Sequence, residues 1–193
     1  MPKIDNEKFY TSAIQKYGTT AKGVNWASSK SQKIRFKTIL ELLPKELNAL
    51  SIIDAGCGFG DLYTYMKKKK NLPKIYIGID ALEDMYSIAS ENTGCEIIIA
   101  DITKDEIPSA DFIVCSGALN TLERFETHQF ISQCFKSCNL GFVFNILHGE
   151  KESETYNYFS TTDLKAIAQD LNVTKLEFKT GYLDDDITVG FFK

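Results

Sequence analysis

Ile52-Ile53-Asp54-Ala55-Gly56-Cys57-Gly58-Phe59-Gly60-Asp61-Leu62 runs from an apolar stretch through three alternate glycines into Leu62-Tyr63-Thr64-Tyr65-Met66. The apolar stretch reads as a strand and the segment after the glycines as a helix, with a glycine-rich turn between them. A turn of this kind lets a ligand approach bare backbone, and the helix amino end directs unpaired N–H groups at it. The spacing is Gly-x-Gly-x-Gly, whereas the turn that serves a dinucleotide pyrophosphate is Gly-x-Gly-x-x-Gly. Asp54, at the end of the predicted strand, would repel a pyrophosphate but could accept hydrogen bonds from an ammonium.

Two further strands are predicted to end in an acid. The first is Lys74-Ile75-Tyr76-Ile77-Gly78-Ile79-Asp80, one strand–helix–strand unit beyond the glycines, so a right-handed crossover sets it beside the first. The second is Glu96-Ile97-Ile98-Ile99-Ala100-Asp101-Ile102, after a helix through Leu82, Met85, Ile88 and Ala89 that Gly94 closes. A fourth strand and its loop follow at 110–120, with Asp111 entering the strand from the far side. A helix at 127–138 leads to a fifth strand at 141–147. Residues 150–159 read as a loop over the open end of the sheet, and 161–171 as a helix. Segments 173–180 and 187–192 alternate as a terminal hairpin.

The run Asp54 to Gly60 resembles the first motif of the class I, Rossmann-like methyltransferases that use S-adenosylmethionine. The resemblance covers about residues 50–193. It implies an α/β fold: a seven-stranded, mostly parallel sheet with helices on both faces, its last strand antiparallel, and a helical addition at 1–49 within a single domain of 1–193. It also implies a cofactor site made by Asp54, Ala55, Gly56, Cys57, Gly58 and Gly60 around the amino-acid end. Asp80 would accept the ribose hydroxyls, with Ala81 and Leu82 at the adenine face. Asp101 would meet the adenine amino group, Ile102 would flank the ring, and Ser116 would lie where the fourth motif continues toward the reacting methyl. That continuation is Ser116-Gly117-Ala118-Leu119-Asn120. It lacks the Asn/Asp-Pro-Pro-Tyr/Phe signature of amino-methylating nucleic-acid enzymes, and the chain has no Pro-Cys pair, so adenine-N6 and cytosine-C5 methylation are disfavoured.

Composition sets the outer bounds. The 193 residues, 44% hydrophobic and 25% charged, suit one substantial core. Apolar runs such as 141–147 are far shorter than the roughly 20 residues of a membrane span. The polar amino terminus does not read as a signal peptide, so a cytoplasmic protein is expected. Five cysteines (Cys57, Cys95, Cys115, Cys134 and Cys138) form neither a disulfide framework nor a zinc set, and no metal is expected. A net charge of −4 weighs against a nucleic-acid backbone as partner. Lys67-Lys68-Lys69-Lys70 complements a helix carboxyl end.

The amino-terminal segment carries Phe9, Tyr10, Ile14 and Tyr17 at helical spacing, then a glycine-interrupted stretch with Trp26, the sole tryptophan. It reads either as a packed arm or as a cap over the cofactor. Ser29 or Ser31 is placed to cap the next helix, which ends at Pro44. Gln32 and Arg35 share one side of that helix and are candidates for contact with substrate or a cofactor carboxylate. His148, at the carboxyl end of the fifth strand, is the candidate general base, since an imidazole titrates near neutrality. These features lead to an S-adenosylmethionine-dependent methyltransferase acting on a small-molecule acceptor, releasing S-adenosylhomocysteine. The alternative is a non-catalytic module that binds the same cofactor or a partner.

Overall fold

A computed structural model of the chain describes residues 5–24 and 28–193. Helix α1 (Asn6–Tyr17) starts at Asp5, whose carboxylate accepts the Lys8 N–H, and ends where the Gly18 N–H returns to Ile14. A short 3-10 turn, Ala21–Val24, precedes α2 (Ser29–Leu40). The cap of α2 is Ser28, whose Oγ accepts the Ser31 N–H at 3.1 Å, rather than Ser29 or Ser31. Trp26 lies outside the described residues.

From β1 (Ser51–Ala55) onward, strands and helices alternate: α3 (Asp61–Lys68), β2 (Ile75–Asp80), α4 (Glu83–Thr93), β3 (Glu96–Ile99) and β4 (Ala110–Ser116). Then come α5 (Arg124–Ser137), β5 (Cys138–His148), β6 (Tyr158–Phe159), α6 (Thr161–Asp170), β7 (Lys175–Lys179) and β8 (Asp186–Phe192). The sheet order is β3-β2-β1-β4-β5-β8-β7, with β6 added on β5. Strands β3, β2, β1, β4 and β5 run parallel, and β8 lies antiparallel between β5 and β7. This is the Rossmann-like arrangement expected from the resemblance.

Three expectations need correction. Strand β3 stops at Ile99, because the Ala100 N–H turns back to the Asp80 carbonyl, so Asp101 stands beyond the strand. Strand β5 begins at Cys138, three residues early, where a register shift opposite Ala110 and Phe112 absorbs the extra residues. The 150–159 segment is not all loop: Tyr158 and Phe159 pair with Leu147 and His148 as β6.

Side-chain alternation along the strands builds a core on each face of the sheet. Ile53, Ile113, Cys115, Phe142 and Phe144 pack with Phe130, Ile131 and Phe135 of α5 and Leu164 and Ile167 of α6. Their neighbours Ile52, Phe112, Val114 and Val143 face the other way, onto Phe36 and Ile39 of α2 and Leu62 and Met66 of α3. Asp111 pins the entry to β4 by accepting the Ser51 N–H and Oγ–H at 2.8 and 2.9 Å. The chain leaves β1 for β2 on one side and returns to β4 on the other, so a crevice opens above the carboxyl ends of β1 and β4.

Candidate functional site

A cleft of about 710 Å³ occupies that crevice. Its floor is the glycine turn. The N–H groups of Gly56 and Cys57 both reach the Ile79 carbonyl, which ties the turn to β2. Gly56 has φ +76°, and a Cβ there would stand 2.5 Å from the Ala118 Cβ, so only glycine lets the β1 and β4 loops meet. Gly60 begins α3 in the left-handed conformation.

Asp80 is the organising carboxylate. One oxygen accepts the Gly58 N–H at 2.9 Å and the other the Leu82 N–H at 3.2 Å. Burial pushes its carboxyl above the ordinary value, and the N–H groups of Gly58, Leu82 and Ala81 oppose that rise. Three N–H groups on its two oxygens leave acceptor capacity for a ligand hydroxyl.

Asp54 is 2% exposed at the back of the cleft and accepts the Tyr76 hydroxyl at 2.6 Å. Burial raises its pKa to about 7; the Tyr76 hydrogen bond opposes the rise, and the neighbouring carboxylates Asp80 and Asp61 add to it. Tyr76 escaped the sequence reading. The signal lay in strand parity: Ile52 pairs with Tyr76 and Asp54 with Gly78, so the bare glycine leaves room beside the acid while the phenol reaches across from the same face.

Asp101 accepts the Thr103 N–H and Oγ–H and pairs with Lys104. Burial works against its ionisation, but Lys104 and Thr103 outweigh that and hold the carboxyl below its ordinary value. Ala81, Leu82, Ile102 and Ser116 all line the cleft with Asp54, Gly56, Cys57, Gly58, Asp80 and Asp101. The Cys57 side chain packs over Gly78, where an added Cβ would lie 2.8 Å from its Sγ. Ala55 (fully buried) and Gly60 do not reach the cleft surface and act through the backbone path.

The α2 candidates reach the cleft already partnered. Gln32 donates to Asp61 Oδ2 at 2.8 Å, fastening α2 to the start of α3. Arg35 forms a buried ion pair with Asp186 at the start of β8. Asp186 is the residue that sequence alone could not have matched to Arg35, being 151 positions away. From the amino-terminal segment, Asp5, Tyr10 and Val24 line the cleft, with Thr121 beside the Tyr10 hydroxyl. Burial pushes the Tyr10 hydroxyl up to about 12.

His148 is not among the cleft-lining residues. Its Nε2 lies 3.1 Å from the Thr161 Oγ, and its backbone pairs with Phe159 of β6, which occupies the end of β5. Among the described residues there is no cluster of three or more His, Cys, Asp or Glu side chains able to hold a metal ion. No helix among them is long and apolar enough to cross a membrane.

Residues 52–141 match the family model described as a methyltransferase domain. No curated protein is significantly similar in sequence. Among solved structures, magnesium protoporphyrin IX methyltransferase from Synechocystis PCC 6803, determined with bound SAH, superposes with a TM-score of 0.73 at 13% identity, covering 96% of each chain. A SAM-dependent methyltransferase from Leishmania major gives 0.70 at 18% identity, over 96% of this chain and 83% of that one. A TehB-like SAM-dependent methyltransferase from Corynebacterium glutamicum gives 0.65 at 15% identity, over 96% and 98%.

Proposed function

We propose that this chain, a member of the class I S-adenosylmethionine-dependent methyltransferases, binds that cofactor in the cleft and methylates a small-molecule acceptor beside it. The observation that carries the reading is the junction of Asp80 with the glycine turn. A buried carboxylate braced by the Gly58, Leu82 and Ala81 N–H groups, with acceptor capacity still open toward the cleft, suits the hydroxyl edge of a ribose. Asp54 lies on the same floor and suits an ammonium, while Leu82 and Ile102 offer apolar faces for a purine. The cofactor, when bound, supplies a methyl group already activated on a sulfonium sulfur.

What the protein adds is alignment and exclusion of water, an effect worth up to about 7–11 kcal/mol in favourable cases. A dedicated base is needed only when the acceptor atom carries a proton of high pKa. That accords with a cleft whose one candidate imidazole, His148, lies elsewhere. Tyr10 and Val24 add to the walls of a concave cleft of about 710 Å³, a size that favours a small acceptor over a polymer.

A screen of small hydroxyl, amine and thiol acceptors, read by release of S-adenosylhomocysteine, tests the proposal. Turnover of at least one class is expected. Tight cofactor binding with no turnover across the screen would favour the non-catalytic module instead.

A further inference from the structure

Behind the cleft a chain of buried polar side chains has a single direction. Asp186, nearly inaccessible at 3% exposure, takes two nitrogens of the Arg35 guanidinium on one oxygen, and as the carboxylate of that ion pair it can only accept hydrogen bonds; burial raises its pKa, and Arg35 and Tyr182 oppose the rise. Tyr182 lies 2.6 Å from Asp186 Oδ1 and must therefore donate its one proton there. The Thr188 hydroxyl, 2.7 Å from the Tyr182 oxygen, must then be the donor in that contact. Its own oxygen is left to accept, so the Asn145 group 2.6 Å away is the amide nitrogen, which also leans toward Tyr182 at 3.5 Å. That choice fixes which end of the Asn145 amide is oxygen, an assignment that heavy-atom positions alone leave open. The amide oxygen faces Ser116, whose hydroxyl donates to it at 2.8 Å. Turning Asn145 over would leave Thr188 and Tyr182 with no proton between them. Asn145 and Thr188 are fully buried, so water cannot repair such a fault.

Ser116 is the one member of the Ser116–Asn145–Thr188–Tyr182 run that lines the cleft. With its proton committed inward, its oxygen offers only lone pairs to whatever stands in front of it. Nearby, Tyr10 has Cys115, Thr121 and Tyr156 as neighbours, which gives this end of the cleft an aromatic wall. We infer that Ser116 Oγ receives a hydrogen bond from the methyl acceptor, and that the acceptor is a planar ring bearing an O–H or N–H. This rests on the methyltransferase reading above. In the transfer the acceptor's second lone pair forms the bond to the methyl carbon, the carbon–sulfur bond breaks to leave the thioether, and the acceptor's proton then passes to solvent water; Ser116 orients the nucleophile without acting as a base. Thr188, Tyr182 and Asp186 are positioning residues that act through Asn145.

Phenol and anisole, which differ in that anisole lacks the proton, are the probes. They are titrated into the S-adenosylhomocysteine-loaded protein while the Ser116 and Gly117 amide resonances are followed. Phenol is expected to shift both and to bind at least tenfold more tightly than anisole. In Ser116→Ala the two probes are expected to fall within twofold of each other. In Thr188→Val, which cuts the chain behind Asn145, the gap should narrow while S-adenosylhomocysteine affinity stays within twofold of wild type. Anisole binding as well as phenol, a gap that survives either substitution, or no shift at either amide would overturn the inference. Failure of S-adenosylhomocysteine to bind would strike the methyltransferase reading instead. The same comparison on the unloaded protein would then still decide the polarity of Ser116.

Discussion

Asp80→Ala is expected to weaken S-adenosylhomocysteine binding by about 2–4 kcal/mol, roughly 30- to 1,000-fold. Two effects combine. The substitution would remove the acceptor proposed for the ribose hydroxyls, a hydrogen bond to a charged group. It also frees the Gly58 and Leu82 N–H groups that the carboxylate now braces, so the glycine turn keeps only its Gly56 and Cys57 backbone bonds to β2. Asp80→Asn should fall between the two, since an amide oxygen can accept one of those N–H groups while its NH2 opposes the other. Isothermal titration calorimetry of the folded variants measures the loss. Wild-type affinity in Asp80→Ala would remove Asp80 from the site.

Asp54→Asn should make the protein more stable and bind its ligand less well. Burial raises the Asp54 pKa to about 7, so between its ordinary value and 7 the folded protein holds a proton that the unfolded chain has lost. That contribution to stability therefore declines as pH rises through this window, and above 7 the native state carries a buried, uncompensated carboxylate. Asparagine keeps an oxygen for the Tyr76 hydroxyl and removes the charge. Relative to wild type, the variant should gain about 1–3 kcal/mol at pH 8 and almost nothing near pH 4. Urea unfolding at the two pH values checks this. Because the ionised carboxylate is what would meet an ammonium, the same variant should lose at least tenfold in S-adenosylhomocysteine affinity at pH 8. Equal stability of the two proteins at both pH values would mean that Asp54 is not under this strain.

Much of the fold was legible because its signals are local. The glycine turn, the apolar strands of alternating face and the terminal hairpin each declare themselves within about ten residues, and right-handed crossover then orders the strands. The position of the cleft was legible in the same way: Asp80 and Asp101 come at the ends of strands or just past them, and the topology brings both to its lining.

What sequence could not supply were pairings across long separations. Arg35 looked available for a ligand until Asp186 was brought to it by β8. Gln32 looked available until α3 presented Asp61. His148 sat at a strand end that faces ligand in an open sheet, but the two residues of β6 cover that end and Thr161 takes its ring. No periodicity foretells a two-residue strand. Tyr76 was readable in principle from the parity of β1 and β2, yet only the parallel register identifies it as the partner of Asp54.

The central claim is that the glycine turn, Asp54 and Asp80 form one site for S-adenosylmethionine. Calorimetric titration of the wild-type protein with S-adenosylhomocysteine, and separately with NAD, tests it most directly. The account predicts saturable binding of S-adenosylhomocysteine at one site per chain and no heat with NAD. Saturable binding of NAD with none of S-adenosylhomocysteine would contradict it.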